Sequence, residues 1–252
     1  MNFSQSGNLG DLIYSLSVVK KLGPGNFYVK LHNIPNVIIK YNNGIVPPEY
    51  VGKLSEKDFE MLKPLLEAQE YIKRVGVHKT QKIDTDLDEF RGVIHSKVQG
   101  NFLKAFYTTH NIPFTDEDLI QPWLTVPNPK RIAKHVVARS PRWRRMLPNT
   151  VDIWKELIHN NNIEKEGVFV GLPEEHSDFE NTMGVKIPYH PVNNFLELAE
   201  VIAGGDNFFS NQTFTYGIAQ GLNKTTVLET FSARPNLQVN ECFFARPNCY
   251  YF

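Results

Sequence analysis

From residue 135 onward, short apolar runs and helical patterns take turns, and this alternation restricts the fold more than any other feature of the chain. Runs at 135–138 (HVVA), 167–171 (GVFVG), 185–188 (VKIP), 207–209 (NFF) and 225–229 (TTVLE) read as strands. Between them, Thr150 is placed to cap a helix carrying Val151, Trp154, Leu157 and Ile158. Pro173, Glu174 and Glu175 open another, and a third covers 194–203. Strands joined through helices by short connections form a parallel sheet with helices on both faces and ligands at the strands' carboxyl ends.

Within that pattern, residues 204–222 (GGDNFFSNQTFTYGIAQGL) carry the most chemistry. The strand at 207–209 stops at Ser210 and Asn211, both good helix N-caps, and Phe214, Ile218 and Leu222 then share one helical face. Gly217 and Gly221 leave the adjacent face without side chains. The backbone N–H groups of a helix N-terminus thus fall at the carboxyl end of a strand, the usual place for a phosphate, although most such turns bind nothing.

The N-terminal half begins with the same unit. A stub of strand at 1–4 runs into Gln5-Ser6-Gly7-Asn8-Leu9-Gly10-Asp11, followed by an amphipathic helix ending before Gly23-Pro24-Gly25. Gly7 and Gly10 permit close backbone approach, and Asp11 sits in the first turn, where a negative charge also suits the helix dipole. Further strands are expected at 26–31, 75–77 and 93–95. Helices are expected from a Ser55 cap, with Phe59, Leu62, Leu65 and Leu66 inward and Pro64 kinking or ending it, and at 101–110. His32, His78, His95 and His110 are scattered without metal-ligand spacing. Acidic residues at 116–118 and the proline-rich 127–130 read as a domain linker. The division expected is an N-terminal domain over 1–126, a C-terminal domain over 127–230 and a packed tail over 231–252 that ends in CYYF.

With 27 basic and 27 acidic residues no whole-chain field draws the protein to nucleic acid or anionic lipid. No apolar run reaches membrane-span length and the start lacks the pattern of a signal peptide, so a cytoplasmic location is expected, in the host if phage-encoded. Cys242 and Cys249 read as free thiols in a reducing compartment, and no Cys-x-x-Cys or Cys/His cluster suggests zinc.

Arg139-Ser-Pro-Arg142-Trp143-Arg144-Arg145 directly follows an expected strand. Guanidinium groups match phosphate oxygens bidentately, and Trp143 could stack on a base. The same residues also fit a solvated basic loop.

These residues resemble the GT-B glycosyltransferases, in particular the heptosyltransferase-like glycosyltransferase family nine. In that family the N-terminal turn ends in Gly-Asp, as Gly10-Asp11 does here, and a C-terminal signature runs approximately Asn-Asp-Thr-Gly-x-x-His-x-Ala. This chain has Asn211, Thr213 and Ala219 in register, with Gln212, Phe214 and Gly217 where the signature has Asp, Gly and His. RSPR at 139–142, FVGLPEEH at 169–176 and NQTF at 211–214 resemble short glycosyltransferase-like proteins of bacteria and phages.

The resemblance implies an α/β fold of two Rossmann-like domains facing across a cleft, and an inverting, metal-independent sugar transfer from a nucleotide-sugar to an acceptor hydroxyl. Asp11 would be the general base. Arg139, Arg142 and Arg144, with Asn211, Gln212, Thr213 and Phe214, would hold the donor diphosphate. Gly171, Leu172, Glu174 and Glu175 would face the nucleoside, with Glu229 another ribose candidate, and Ser6, Gly7, Asn8 and Gly10 would form the acceptor-side turn. The nucleotide-sugar is a substrate, and no further cofactor or metal is implied. The acceptor is a glycan or a phage-type hydroxymethylated DNA base, for which Lys20, Lys21, Lys30 and Lys40 are available. A nucleotide- or nucleotide-sugar-binding protein without activity, or a partner-binding relic of the fold, are the other expectations.

Overall fold

The computed structural model of the chain describes residues 1–31, 40–41, 44–45, 54–92, 101–141, 149–230 and 247–252. The N-terminal elements are β1 (Asn2–Gln5), α1 (Leu9–Leu22), β2 (Gly25–Val29), the two-residue pair β3 (Lys40–Tyr41) and β4 (Gly44–Ile45), α2 (Glu56–Glu67), β5 (Ile72–Val77), β6 (Thr85–Asp86), a 3-10 turn (Leu87–Gly92) and α3 (Phe102–Thr109). Then come β7 (His135–Ala138), α4 (Thr150–Asn160), α5 (Ile163–Glu166), β8 (Gly167–Phe169), α6 (Pro173–Met183), α7 (Phe195–Gly204), β9 (Asn207–Asn211), α8 (Phe214–Gly221), β10 (Thr225–Glu229) and β11 (Cys249–Tyr251).

Two wholly parallel sheets result, in the orders β5-β2-β1-β6 and β11-β10-β9-β7-β8. This is the expected α/β class with two Rossmann-like sheets. In the first sheet the chain moves outward from β1 through β2 to β5 and then returns to β6 on the other side of β1. In the second it moves from β7 to β8 and returns to β9 on the other side of β7. Each reversal leaves a crevice at the strands' carboxyl ends, between β1 and β6 and between β7 and β9, where open α/β sheets bind ligands.

The helices of the two crevices pack on each other. A Cβ built on Gly217 of α8 would lie 3.4 Å from the Tyr14 ring and 3.5 Å from Ile13, both on α1. One built on Gly221 would lie 2.6 Å from Leu124. The side-chain-free face of α8 thus lets α1 and the 123–124 segment approach. Ile13, Tyr14, Trp123 and Leu124 are buried there, each apolar side chain contributing roughly 2 kcal/mol by burial. Trp123 Nε1 donates to the Ile13 carbonyl (2.8 Å), and the N–H groups of Trp123 and Leu124 both donate to the Gly221 carbonyl (2.9 Å each). The segment read as a linker is pinned against both halves. One apolar core runs from the first sheet through α1, α2, α7 and α8 to Val136, Phe208 and Leu228 of the second sheet, whose far face carries a separate cluster around Val137, Trp154 and Phe179.

Most expected elements are present, with instructive departures. Ser210 and Asn211 do not cap α8. They complete β9, and Thr213 is the N-cap. Thr150 lies inside α4, behind Asn149. Pro64 stays within α2, which continues to Glu67. Residues 185–188 form no strand. Glu180 takes two of that segment's backbone donors, Val185 N–H through its carbonyl (3.3 Å) and Ile187 N–H through its carboxylate (3.0 Å), and only an isolated bridge joins Phe169 to Tyr189. The strand expected at 93–95 lies outside the described residues. At the C-terminus β11 adds to β10, and Phe252 meets Trp154 edge-on at 5.8 Å. Tyr250 and Tyr251 remain exposed, contrary to a fully docked aromatic end. Cys249 is a buried free thiol, and Cys242 lies outside the described residues. No helix of the described residues is long and apolar enough to cross a membrane.

His135, on β7, has its pKa lowered, first by burial and then by Lys134. The neighbouring Glu166 and Asp206 oppose this. Burial likewise lowers His110 at the end of α3, against the pull of Asp86. An unfolded chain binds protons at these sites at about pH 6.5, where the folded chain does not. Their contribution to stability is therefore complete above that pH and declines as pH falls toward the lowered folded values. The melting temperature is expected to drop between pH 7.5 and 5.5, with a shallower drop in His135→Gln. An equal slope in the variant would remove His135 from the account.

Candidate functional site

On the first sheet, β1 ends at Gln5 and the chain turns through Ser6, Gly7 and Asn8 into α1. Gly7 has φ of +96°, which favours glycine. The turn is held from the 3-10 turn that follows β6. Ser6 N–H lies 3.1 Å from each carboxylate oxygen of Asp88, which is fully buried. Lys30, at the end of β2, bonds Asp88 at 3.1 Å and Asp86 at 2.7 and 2.8 Å. Asn8 is the N-cap of α1 in extended conformation, and its side chain makes no capping bond. Asp11 stands half-buried in the first turn. Gln5 is fully buried, and neither atom of its amide has a hydrogen-bond partner among the described residues.

On the second sheet, Asn211 clasps the backbone of Ser140 across the crevice between β7 and β9. Its Oδ1 accepts from Ser140 N–H (3.1 Å) and its Nδ2 donates to the Ser140 carbonyl (2.7 Å). Both ends of the amide serve the scaffold, so Asn211 holds the crevice together rather than reaching into it. Gln212 is also buried. Thr213 N–H donates to the Asn211 carbonyl at 2.7 Å, and the Thr213 hydroxyl lies 2.8 Å from that of Thr215 instead of capping the helix. The first N–H groups of α8 are therefore those of Phe214 and Thr215, both half-buried, two residues later than the sequence suggests. The ring of Phe214 rests on Phe195 at 4.5 Å.

Arg139, expected at the diphosphate, is almost wholly buried. Its Nε and Nη2 donate to Glu229 at 2.5 and 3.0 Å, and Trp154 Nε1 donates to the same carboxylate at 2.7 Å. That pairing accounts for Glu229 as well, which is fully buried and does not face a ribose. Only Nη1 of Arg139 is uncommitted, 4.0 Å from Asp178. Arg142, Trp143, Arg144 and Arg145 lie outside the described residues.

At the edge of the second sheet, Gly171 has φ of +140° and its carbonyl accepts from Tyr189 Oη at 2.9 Å. Glu175 accepts from Leu172 N–H at 3.1 Å, the part of a helix-start acid. Leu172 and Glu174 are exposed beside it. Burial, then Glu174 and Glu175, raise the Tyr189 pKa. Tyr189 stacks on His176 with ring centroids 5.2 Å apart.

The two crevices meet. A Cβ built on Gly10 would lie 4.0 Å from the Phe214 Cα, so the uncapped N-termini of α1 and α8 stand side by side with Asp11 at the next position. The Tyr14 hydroxyl bonds Gln220 at 3.0 Å, fixing that approach. Gly217 stands under α1, and the space a histidine side chain would need is filled by Ile13 and Tyr14. Of the lysines offered for a DNA acceptor, Lys20 donates to the Pro122 carbonyl, Lys21 pairs with Asp118 and Lys30 is buried with Asp86 and Asp88. Lys20 and Lys21 are also at the far end of α1, about 15 Å from its first turn by helical rise. The side chain of Lys40 is not described. Among the described residues no group of three or more His, Cys, Asp or Glu side chains could hold a metal ion.

Two parallel Rossmann-like sheets, joined so that the helix N-termini of both crevices converge, define the GT-B class of fold. Solved structures of that class match the chain over nearly its full length. The crystal structure of a glycosyl transferase family 9 protein from Veillonella parvula matches with a TM-score of 0.60 at 8% identity, over 100% of this chain and 84% of that one. E. coli heptosyltransferase WaaC with ADP matches with a TM-score of 0.60 at 11% identity, over 99% and 92%. E. coli ADP-heptose lps heptosyltransferase II matches with 0.51 at 11% identity, over 100% and 89%. At these identities the likeness is one of fold. Neither the protein-family models nor the curated proteins give a match.

Proposed function

We propose that the chain is an inverting glycosyltransferase that moves a sugar from a nucleotide-sugar to an acceptor hydroxyl without a metal. The observation that carries the reading is the juxtaposition of the two helix N-termini at Gly10, the residue before Asp11, and Phe214, the first residue of α8. The Asp11 carboxylate takes the acceptor's hydroxyl proton as its oxygen forms the new bond to the anomeric carbon. The bond from that carbon to the diphosphate oxygen breaks, and its electron pair leaves on the nucleotide. The N–H groups of Phe214 and Thr215 and the dipole of α8 stabilise the departing charge, with Arg142 and Arg144, which follow β7 in the sequence, supplying cations. Gly171 and Leu172 border the nucleoside, and the acceptor lies over the turn at Ser6, Gly7, Asn8 and Gly10, between domains of residues 1–126 and 127–230.

A glycan acceptor fits better than a DNA base, because Lys20, Lys21 and Lys30 are all committed within the protein and Lys20 and Lys21 stand at the far end of α1. A nucleotide-binding protein without transfer remains the second reading. The burial of Gly217 beneath α1 favours it, since no histidine stands there.

WaaC has been solved with ADP and with ADP-2-deoxy-2-fluoro heptose, so ADP and its heptose conjugate lead a thermal-shift panel with UDP, GDP, CMP and their sugar conjugates. One nucleotide at a hundred times its dissociation constant is expected to add about 2.7 kcal/mol of stability. Arg142→Ala should shrink that shift. If none acts at millimolar concentration, the reading gives way to a partner-binding protein.

A further inference from the structure

The acceptor-side turn is only eight residues from the chain's start, yet its shape is set from 82 residues away. Ser6 N–H is held by both oxygens of Asp88. Asp88 has no contact with water, and a carboxylate so placed depends on Lys30, whose ammonium also bonds Asp86. Asp86 accepts from the backbone N–H of Asp88 at 3.2 Å, closing the triad on itself. The restraint acts just before Gly7 takes its left-handed conformation and just before Asn8 enters α1 without a side-chain cap. The bond to Ser6 thus restrains the chain at its entry to α1, one turn before Asp11, while Tyr14 and Ile13 hold the helix further along.

We infer that Asp88, charged and anchored by Lys30, is a positioning residue that aims Asp11 at the acceptor hydroxyl. It touches neither substrate. This rests on the reading of Asp11 as the base. Loosening the Ser6 bond leaves the donor side on α8 intact and lets the carboxylate of Asp11 drift by a fraction of an ångström. That lowers the chemical step without weakening nucleotide binding.

The test is a double-mutant cycle on nucleotide release, using the nucleotide-sugar of the UDP, GDP, ADP and CMP series that shifts the melting temperature. Asp88→Asn keeps an acceptor for Ser6 but removes the charge that Lys30 anchors. It is expected to lower kcat tenfold or more with the donor KM within twofold. Asp88→Glu restores the charge at the wrong length and should show the same split, which keeps the test open if the neutral variant does not fold. Because Asp88 acts only through Asp11, the Asp11→Asn/Asp88→Asn pair should be no slower than Asp11→Asn alone. Unchanged kcat, or rate losses that multiply in the pair, would overturn the inference while leaving Asp11 as the base. If Asp11→Asn itself releases nucleotide at the parent's rate, the reading of Asp11 as the base fails first and this inference with it.

Discussion

Asp11→Asn is expected to lower the rate of sugar transfer by about two to four orders of magnitude, the usual contribution of a positioned general base. The amide has the shape of the carboxylate and keeps an oxygen at the start of α1, so the helix loses at most about 1 kcal/mol of charge–dipole interaction. The donor groups on α8 are separate backbone atoms, so the nucleotide-induced rise in melting temperature should be the same in the variant as in the parent. That split, lost transfer with retained binding, distinguishes a base from a structural acid. A variant with full transfer would return Asp11 to the role of complementing the helix dipole. One that fails to fold would end its catalytic assignment.

Glu229→Ala is expected to cost about 3–5 kcal/mol, because it strands the buried guanidinium of Arg139 and leaves Trp154 Nε1 without its acceptor. For a chain whose total stability falls in the range of about 5–15 kcal/mol, that is a fall of roughly 6–20 °C in melting temperature. Glu229→Gln keeps an acceptor but not the charge and should lie between parent and Ala. The pair ties the ends of β7 and β10 to α4, so the loss concerns the second sheet as a scaffold. Calorimetry of the three proteins decides it. A melting temperature within a degree or two of the parent in Glu229→Ala would mean that Arg139 has another partner.

The strand–turn–helix units at both ends of the site could be read from the chain because apolar runs and glycine-bearing turns mark them. Residues 207–222 and 1–22 gave the right element types, and the glycines of α8 marked the face where α1 now lies. The registers of their caps were harder. Ser210 and Asn211 have the chemistry of N-caps, but pairing with β10 runs on to Asn211, and the ladder outweighs the cap. The roles of Arg139 and Glu229 were hidden for another reason. Nothing in a local pattern says that a charge after one strand will meet a charge at the end of another 90 residues on. The same holds for Lys30, Asp86 and Asp88. β6 is two polar residues, Thr85 and Asp86, with no apolar alternation to betray a strand, and its importance comes from lying beside β1.

Titration calorimetry of Phe214→Pro against Phe214→Leu shows whether a nucleotide's phosphates sit on the N-terminus of α8. Phe214 is the first residue of α8, and Thr213 before it is extended (φ −116°, ψ 179°), the conformation a residue preceding proline adopts. Proline there removes one backbone N–H while the helix stands. Both variants lose the contact with Phe195, so the leucine protein measures packing alone. The prediction is that Phe214→Leu binds the selected nucleoside diphosphate with nearly the parent's affinity and that Phe214→Pro binds it about tenfold or more weaker, the loss of one charge-assisted hydrogen bond. Equal affinity in the two variants would place the phosphates away from the N-terminus of α8.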